Sequence, residues 1–169
     1  MPKDKVNSKE TEQFLNKLAV YGTSLESESN QQQLSELEHL IKNLSDINYK
    51  DRKGMTYLSI AVQQYKGAVV KLLLENGADP NIEDNVGVPP LSYVFLKQTK
   101  STEEIIKLLL QYGADPTLGK TPKHTPFYYA EITQAPQHQI ELLKDAEAKI
   151  HHHSMNDNGD EYSNKNLQY

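Results

Sequence analysis

The residues most suggestive of chemistry are three consecutive histidines, His151-His152-His153. Imidazoles ligate divalent metals, but adjacent histidines at a helix end cannot all aim at one ion, and two flexible ones chelate only weakly. They read as a helix end running into a tail, where positive or polar groups are favoured. The stretch Asp79-Pro80-Asn81-Ile82-Glu83-Asp84 has the oxygen donors of a calcium loop. Asp84, however, stands where that loop needs glycine, and Pro90 where it needs glutamate. Asn43-Leu44-Ser45 matches a glycosylation acceptor, which matters only in an exported chain. There is no glycine-rich phosphate loop, no His-Glu-x-x-His pair and no Gly-x-Ser-x-Gly elbow. His39, His124 and His138 fall in different segments and read as surface residues. The expectation is a protein without catalysis, cofactor or metal.

Composition narrows the class further. The chain has 169 residues, enough for one domain with a modest core. Its mean hydropathy of −0.70 suggests that part of it does not fold. A net charge of −5 argues against non-specific nucleic-acid binding. Zero cysteines exclude disulfides, thiolate zinc sites and a cysteine nucleophile. No apolar run is long enough to span a membrane, and Met-Pro-Lys-Asp-Lys-Val lacks the apolar core of a signal peptide. A cytoplasmic protein, monomeric when unbound, is expected.

What must position any functional residue is an internal repeat. Lys71-Leu72-Leu73-Leu74-Glu75-Asn76-Gly77-Ala78-Asp79-Pro80 returns as Lys107-Leu108-Leu109-Leu110-Gln111-Tyr112-Gly113-Ala114-Asp115-Pro116, an offset of 36 residues. Upstream, Gly54 and Leu58 recur as Gly87 and Leu91 at an offset of 33, so the extra residues fall within Lys97 to Thr102. A third copy starts at Thr125-Pro126-Phe127-Tyr128-Tyr129-Ala130, matching Thr56-Tyr57-Leu58-Ser59-Ile60-Ala61. Each copy reads as a turn, a short helix, a tight loop and a longer helix. Thr56 and Thr125 can cap the short helices, and Pro90 and Pro126 suit a first helical position. Ser101-Thr102-Glu103-Glu104 reads as a capping box opening the second long helix. Gly77 and Gly113 sit where the chain leaves the long helices with left-handed backbone. Ala61, Ala78, Ala114 and Ala130 mark close approaches between layers, and Tyr93 and Tyr129 fall at core-facing places, whereas Tyr49 and Tyr65 suit exposure.

These residues resemble the ankyrin repeat, with its Gly-x-Thr-Pro-Leu-His-x-Ala start and Leu-Leu-x-x-Gly-Ala-Asp end. The resemblance covers about residues 46 to 150 and implies an all-α solenoid of helix-turn-helix units with short β-turn fingers. The chain departs from the pattern at several places. Ser59, Ser92 and Tyr128 replace the histidine, Lys123 replaces the third turn glycine, and Pro89 replaces the second threonine. The third copy also lacks the Gly-Ala-Asp end, as a terminal cap would.

Residues 1–45 read as a degenerate capping repeat. In it Leu37 to Asp46 aligns with Val70 to Asp79, and Phe14, Leu15, Leu18 and Ala19 supply a short partner helix. Thr23 to Gln33 is polar and is expected to be a loop; residues 46–153 carry the repeats, and 154–169 read as a disordered polar tail.

The resemblance implies protein–protein contacts through a concave groove and finger tips. Carried over residue by residue, the partner-facing positions are Arg52, Lys53, Met55, Gln63 and Gln64 in the first full copy. The second contributes Asn85, Val86, Val88, Leu96 and Lys97, and the third Thr121, Pro122, His124, Ile132 and Thr133. Met55, Val86, Val88, Leu96 and Ile132 are expected to be apolar and open to solvent, as an interface core requires. The finger charges alternate: Lys50 to Lys53 carry a net +2, Glu83 and Asp84 −2, and Lys120 and Lys123 +2. The function expected is an adaptor or inhibitor of one protein partner. Lys, Asn and Gln richness suggests a bacterial chain, for which an immunity protein against a toxin or a secreted host-directed effector is the alternative. An enzyme or small-molecule binder is disfavoured, and a third reading makes the tail the active part.

Overall fold

The computed structural model describes residues 3–21 and 28–157. Among them are eight α-helices: α1 Lys3–Val20, α2 Glu28–Lys42, α3 Tyr57–Gln63, α4 Gly67–Glu75, α5 Pro90–Tyr93, α6 Thr102–Gln111, α7 Pro126–Ile132 and α8 Gln137–Asp157. They form four antiparallel pairs in sequence order. An inner layer runs from α3 through α5 to α7, and an outer layer from α2 through α4 and α6 to α8. Between pairs the chain projects as fingers around residues 43–56, 76–89 and 112–125. The first finger carries one isolated antiparallel bridge, Lys50 to Thr56.

Helix starts follow from local chemistry. The Thr56 hydroxyl accepts the Ser59 N–H at 3.2 Å, and the Thr125 hydroxyl accepts that of Tyr128 at 3.3 Å. Both satisfy a donor that has no partner inside the helix. Pro90 and Pro126 occupy the first positions of α5 and α7. The capping box expected at Ser101 is not formed. Ser101 already has helical backbone and makes no side-chain cap bond. Thr102, 1% exposed, takes over: its hydroxyl accepts the Thr99 N–H at 2.8 Å and donates to the Lys97 carbonyl at 3.2 Å. That clamp tightens the lengthened loop of the second copy.

The long helices end as expected. Ala114 N–H reaches back to the Leu109 carbonyl at 2.9 Å and Ala78 N–H to that of Leu73 at 3.0 Å. Gly113 and Gly77 between them have φ of +86° and +90°. The short helices close the same way without glycine, using Tyr65 at φ +57° and Gln134 at φ +53°.

One apolar cluster runs through the stack, from Phe14, Leu18, Leu37 and Ile41 through Leu58, Val70 and Leu73 to Leu91, Phe95, Ile106 and Leu109. Ala61, Ala78, Ala114 and Ala130 are all buried within it. Among the described residues the last pair adds few buried apolar residues, Pro126, Ala130, Ala135 and Leu143. Phe14 joins the first pair to the repeats, its ring 4.8 Å from that of Tyr57.

Four expectations change at the ends and in the loops. The first partner helix is not short, since α1 has 18 residues. The polar loop expected over 23–33 is curtailed because α2 starts at Glu28; Gln and Glu are good helix formers, so polarity alone did not mark a loop. Positions 23–27 lie outside the described residues. Likewise α8 carries Ser154 to Asp157 as helix, and the rest of the expected tail, 158–169, lies outside the described residues. Tyr49 and Tyr65 are half-buried against the core rather than exposed.

Two glycines separate backbone strain from steric conflict. A Cβ at Gly113 would meet nothing within 4 Å, whereas one at Gly87 (φ +92°) would sit 2.1 Å from the Lys120 Cβ. Gly113→Ala should therefore cost about 1 kcal/mol, the left-handed penalty alone. Gly87→Ala should cost clearly more, because the second and third fingers must part. Urea unfolding of both variants measures the difference.

Candidate protein-binding groove

The fingers are built by aspartates as much as by glycines. Asp51 Oδ1 accepts the N–H groups of Lys53 at 2.8 Å and Met55 at 2.9 Å. Asp84 Oδ1 accepts those of Val86, Gly87 and Val88, each at 2.9 Å. The third finger has Lys120 at this place and uses instead a tight turn over Pro122–His124, held by the Thr125 hydroxyl donating to the Pro122 carbonyl at 3.0 Å.

Backbone bonds set the fingers side by side. Asn85 N–H donates to the Lys53 carbonyl and Lys120 N–H to the Gly87 carbonyl, both at 3.0 Å. Asn85 Nδ2 also donates to the Arg52 carbonyl at 2.9 Å, so this residue joins fingers as well as facing solvent. Deeper in the loops two asparagines bridge successive copies. Asn48 Oδ1 accepts the Asp79 N–H at 2.9 Å; Asn81 Oδ1 accepts that of Asp115 at 2.8 Å, while Asn81 Nδ2 donates to the Gly113 carbonyl at 2.9 Å. The serines at the histidine place do related work. Ser92 Oγ donates to the His124 carbonyl at 2.8 Å, and Ser59 Oγ lies 3.1 Å from the Thr56 hydroxyl.

Most of the expected groove residues are open to solvent. Arg52, Lys53, Asn85, Gln63, Gln64 and Lys97 are exposed, as are Thr121 and Pro122. Val86 is 59%, Leu96 50% and Ile132 56% exposed. Met55 and Val88 are corrections: they are 8% and 3% exposed and face inward. The cause is the finger hairpin. Asp51 N–H pairs with the Met55 carbonyl at 3.0 Å and Asp84 N–H with the Val88 carbonyl at 3.1 Å, which turns both side chains beneath the finger. His124 and Thr133 are half-buried, and His124 Nδ1 is shielded without a hydrogen-bond partner.

Tyr93 and Tyr129, expected to face the core, form a row with Ile60, which the sequence did not single out. The repeat register places Ile60, Tyr93 and Tyr129 at one position of the three inner helices, and all are half-buried between core and groove. The Tyr93 hydroxyl donates to Asp84 Oδ2. Burial and that anionic partner push the Tyr93 phenol far above its ordinary range. Burial also raises Tyr129, with the Asp84 charge adding to it. For Asp84 itself burial pulls upward, but the Tyr93 hydroxyl and the Val88, Val86 and Gly87 N–H groups outweigh it and hold the carboxyl below its ordinary value.

Other concavities are less organised. A depression of about 490 Å³ between α1 and α2 is lined by Lys17, Ser35, Glu36, His39 and Leu40, where Lys17 already bonds Glu36. Among the described residues no group of three or more His, Asp or Glu could hold a metal, and no helix is long and apolar enough to cross a membrane.

The Asp84 network has a pH signature. Asp84→Asn should destabilise the protein at pH 7 by about 1–2 kcal/mol, low in the range for charge-assisted bonds because the carboxylate is partly solvated. Since its folded value is depressed, the contribution is complete above the ordinary aspartate value of 3.8 and is lost as pH falls below it. The gap between wild type and Asp84→Asn in urea unfolding should thus narrow from pH 7 to about pH 3.

Comparison with known proteins agrees with this geometry. A family model for ankyrin repeats, in three copies, matches residues 27–120, more than half of the chain. An ankyrin repeat protein of fowlpox virus (strain NVSL) is 40% identical over 58 residues, covering 34% of this chain and 13% of that protein. Ankyrin repeat protein 14 of vaccinia virus (strain Western Reserve) is 44% identical over 54 residues, covering 32% of this chain and 23% of its own. The chain thus spans less than a quarter of the length of these relatives. Among solved structures, an ankyrin repeat domain from Acinetobacter baumannii AYE superimposes with a TM-score of 0.61 at 23% identity, over 77% of this chain and 71% of that one. With the repeat period, the capped helix pairs and the stacked fingers, these matches show that the chain belongs to the ankyrin repeat family.

Proposed function

We propose that this chain is a non-enzymatic binding module that acts as an adaptor or inhibitor of a single protein partner, through the groove between its fingers and inner helices. Ankyrin repeats are a protein–protein interaction module in general. The observation that carries it is the separation of scaffold from surface. Buried side chains and cross-copy bonds hold the stack, while Val86, Leu96 and Ile132 are left half or more exposed on that rigid frame. Apolar side chains in a row along one concavity are what an interface core requires, and a frame already braced by hydrogen bonds lowers the ordering cost of association. Docking would proceed with little rearrangement of the stack.

The test uses a photo-crosslinking amino acid placed singly at Leu96, at Ile132 and, as a control, at Lys71 on the outer face of α4. In cells of the source organism, the groove positions should crosslink one dominant protein that Lys71 does not. With that protein purified, the triple variant Val86→Glu, Leu96→Glu, Ile132→Glu should weaken binding at least about tenfold while melting close to wild type, since all three sites are exposed. Equal crosslinking from Lys71, or unchanged affinity, would place the contact elsewhere.

A further inference from the structure

The rim of the groove carries a charge opposite in sign to the chain as a whole. Net charge is −5, yet Arg52 and Lys53 on the first finger and Lys120 and Lys123 on the third are all exposed. Among the described residues none of these four makes an ion pair, whereas α2, α4 and α6 of the outer layer each pair a lysine: Lys42 with Glu38, Lys71 with Glu75, and Lys107 with Glu103. Of the carboxylates at these tips, Glu83 keeps its charge on the second finger and leaves the three tips a net +2, while the other two are already engaged. Asp51 and Asp84 are tied to the N–H groups of their own fingers, and Asp84 also to Tyr93.

The finger-to-finger backbone bonds bring the two basic fingers to either side of the second, whose tip is Val86. The rim is therefore an apolar tip between two pairs of cations. Across the groove, the exposed Lys97 stands beside Leu96. Glu131, at the register place of the buried Val62 and Phe95, is exposed and forms no ion pair with Lys97.

Resting on the groove reading above, we propose that the partner presents an acidic protein segment carrying apolar side chains. Its carboxylates meet Arg52, Lys53, Lys120 and Lys123, and its aliphatic or aromatic side chains cover Val86, Leu96 and Ile132. Complementary charge at an exposed rim speeds encounter and rejects wrong partners, and apolar contacts then hold the complex. A nucleic acid fits less well, since its phosphates would use the rim, leave Leu96 and Ile132 uncovered and face a body of like charge.

The test is an unbiased selection. A yeast-displayed library of random peptides of about 16 residues is selected on the full chain, and the enriched peptides are then measured by fluorescence anisotropy. Their affinities are compared on wild type, on Lys53→Glu/Lys120→Glu and on Leu96→Ser/Ile132→Ser, with folding checked by circular dichroism. The enriched pool should be rich in Asp and Glu together with large apolar residues. Affinity should fall at least tenfold on the charge-reversed variant, and also between about 50 and about 300 mM NaCl. A neutral or basic pool that loses binding only on Leu96→Ser/Ile132→Ser would overturn the acidic partner and leave the groove standing. A pool indifferent to both variants, or no enrichment at all, would overturn both. Tighter binding of single-stranded DNA of about 20 nucleotides than of the selected peptides would also overturn it.

Discussion

No helix pair in this chain can cover its own apolar face, and everything else follows from how the next pair is made to cover it. Hydrophobic burial drives the stacking but is indifferent to small slips in register. Directional bonds remove that freedom. Asn48 and Asn81, one repeat length apart, each accept from the first residue of the next Asp-Pro step, and the finger backbones of Lys53 and Asn85, then Gly87 and Lys120, pair in the same register. The terminal units fit this constraint. The first, α1 and α2, buries Phe14 against Tyr57, and the last gives up the Gly-Ala-Asp turn and continues as the 21-residue α8.

Stacking fixed in this way separates two sets of residues. The small and aliphatic ones, with the capping threonines and the serines at the histidine place, meet one another and have no freedom to serve a partner. The outward side chains of the finger tips and of the far ends of the inner helices, Val86, Leu96 and Ile132 among them, are left half or more open, so their identity is set by what lies outside the chain. Family membership gives fold and interaction class from the first set, whereas the partner is written in the second.

Much of the first set was legible in the sequence. The offsets of 33 and 36 residues, the threonine and proline helix starts, the glycine helix ends and the four buried alanines depend on nearest neighbours or on the repeat itself. What depended on three-dimensional closure was not legible. Met55 and Val88 follow the finger glycines by one residue and look like tip residues, yet the aspartate-closed hairpin turns them inward. Ser101 has the composition of a cap, but the longer loop hands that work to Thr102. Tyr93 and Tyr129 read as core from their places in the short helices, and nothing local marked Asp84 as the partner of the Tyr93 hydroxyl.

The central claim, that cross-copy bonds make the fingers part of the cooperative stack and not loops hung on it, is open to one direct measurement. Native-state hydrogen exchange read residue by residue compares the Asn85 and Lys120 amides, which bond across fingers, with core amides of α4 and α6. The account predicts that the finger amides open with the same free energy as the helices, near the global unfolding value. Finger amides exchanging as fast as free loop backbone, with the helices still protected, would contradict it.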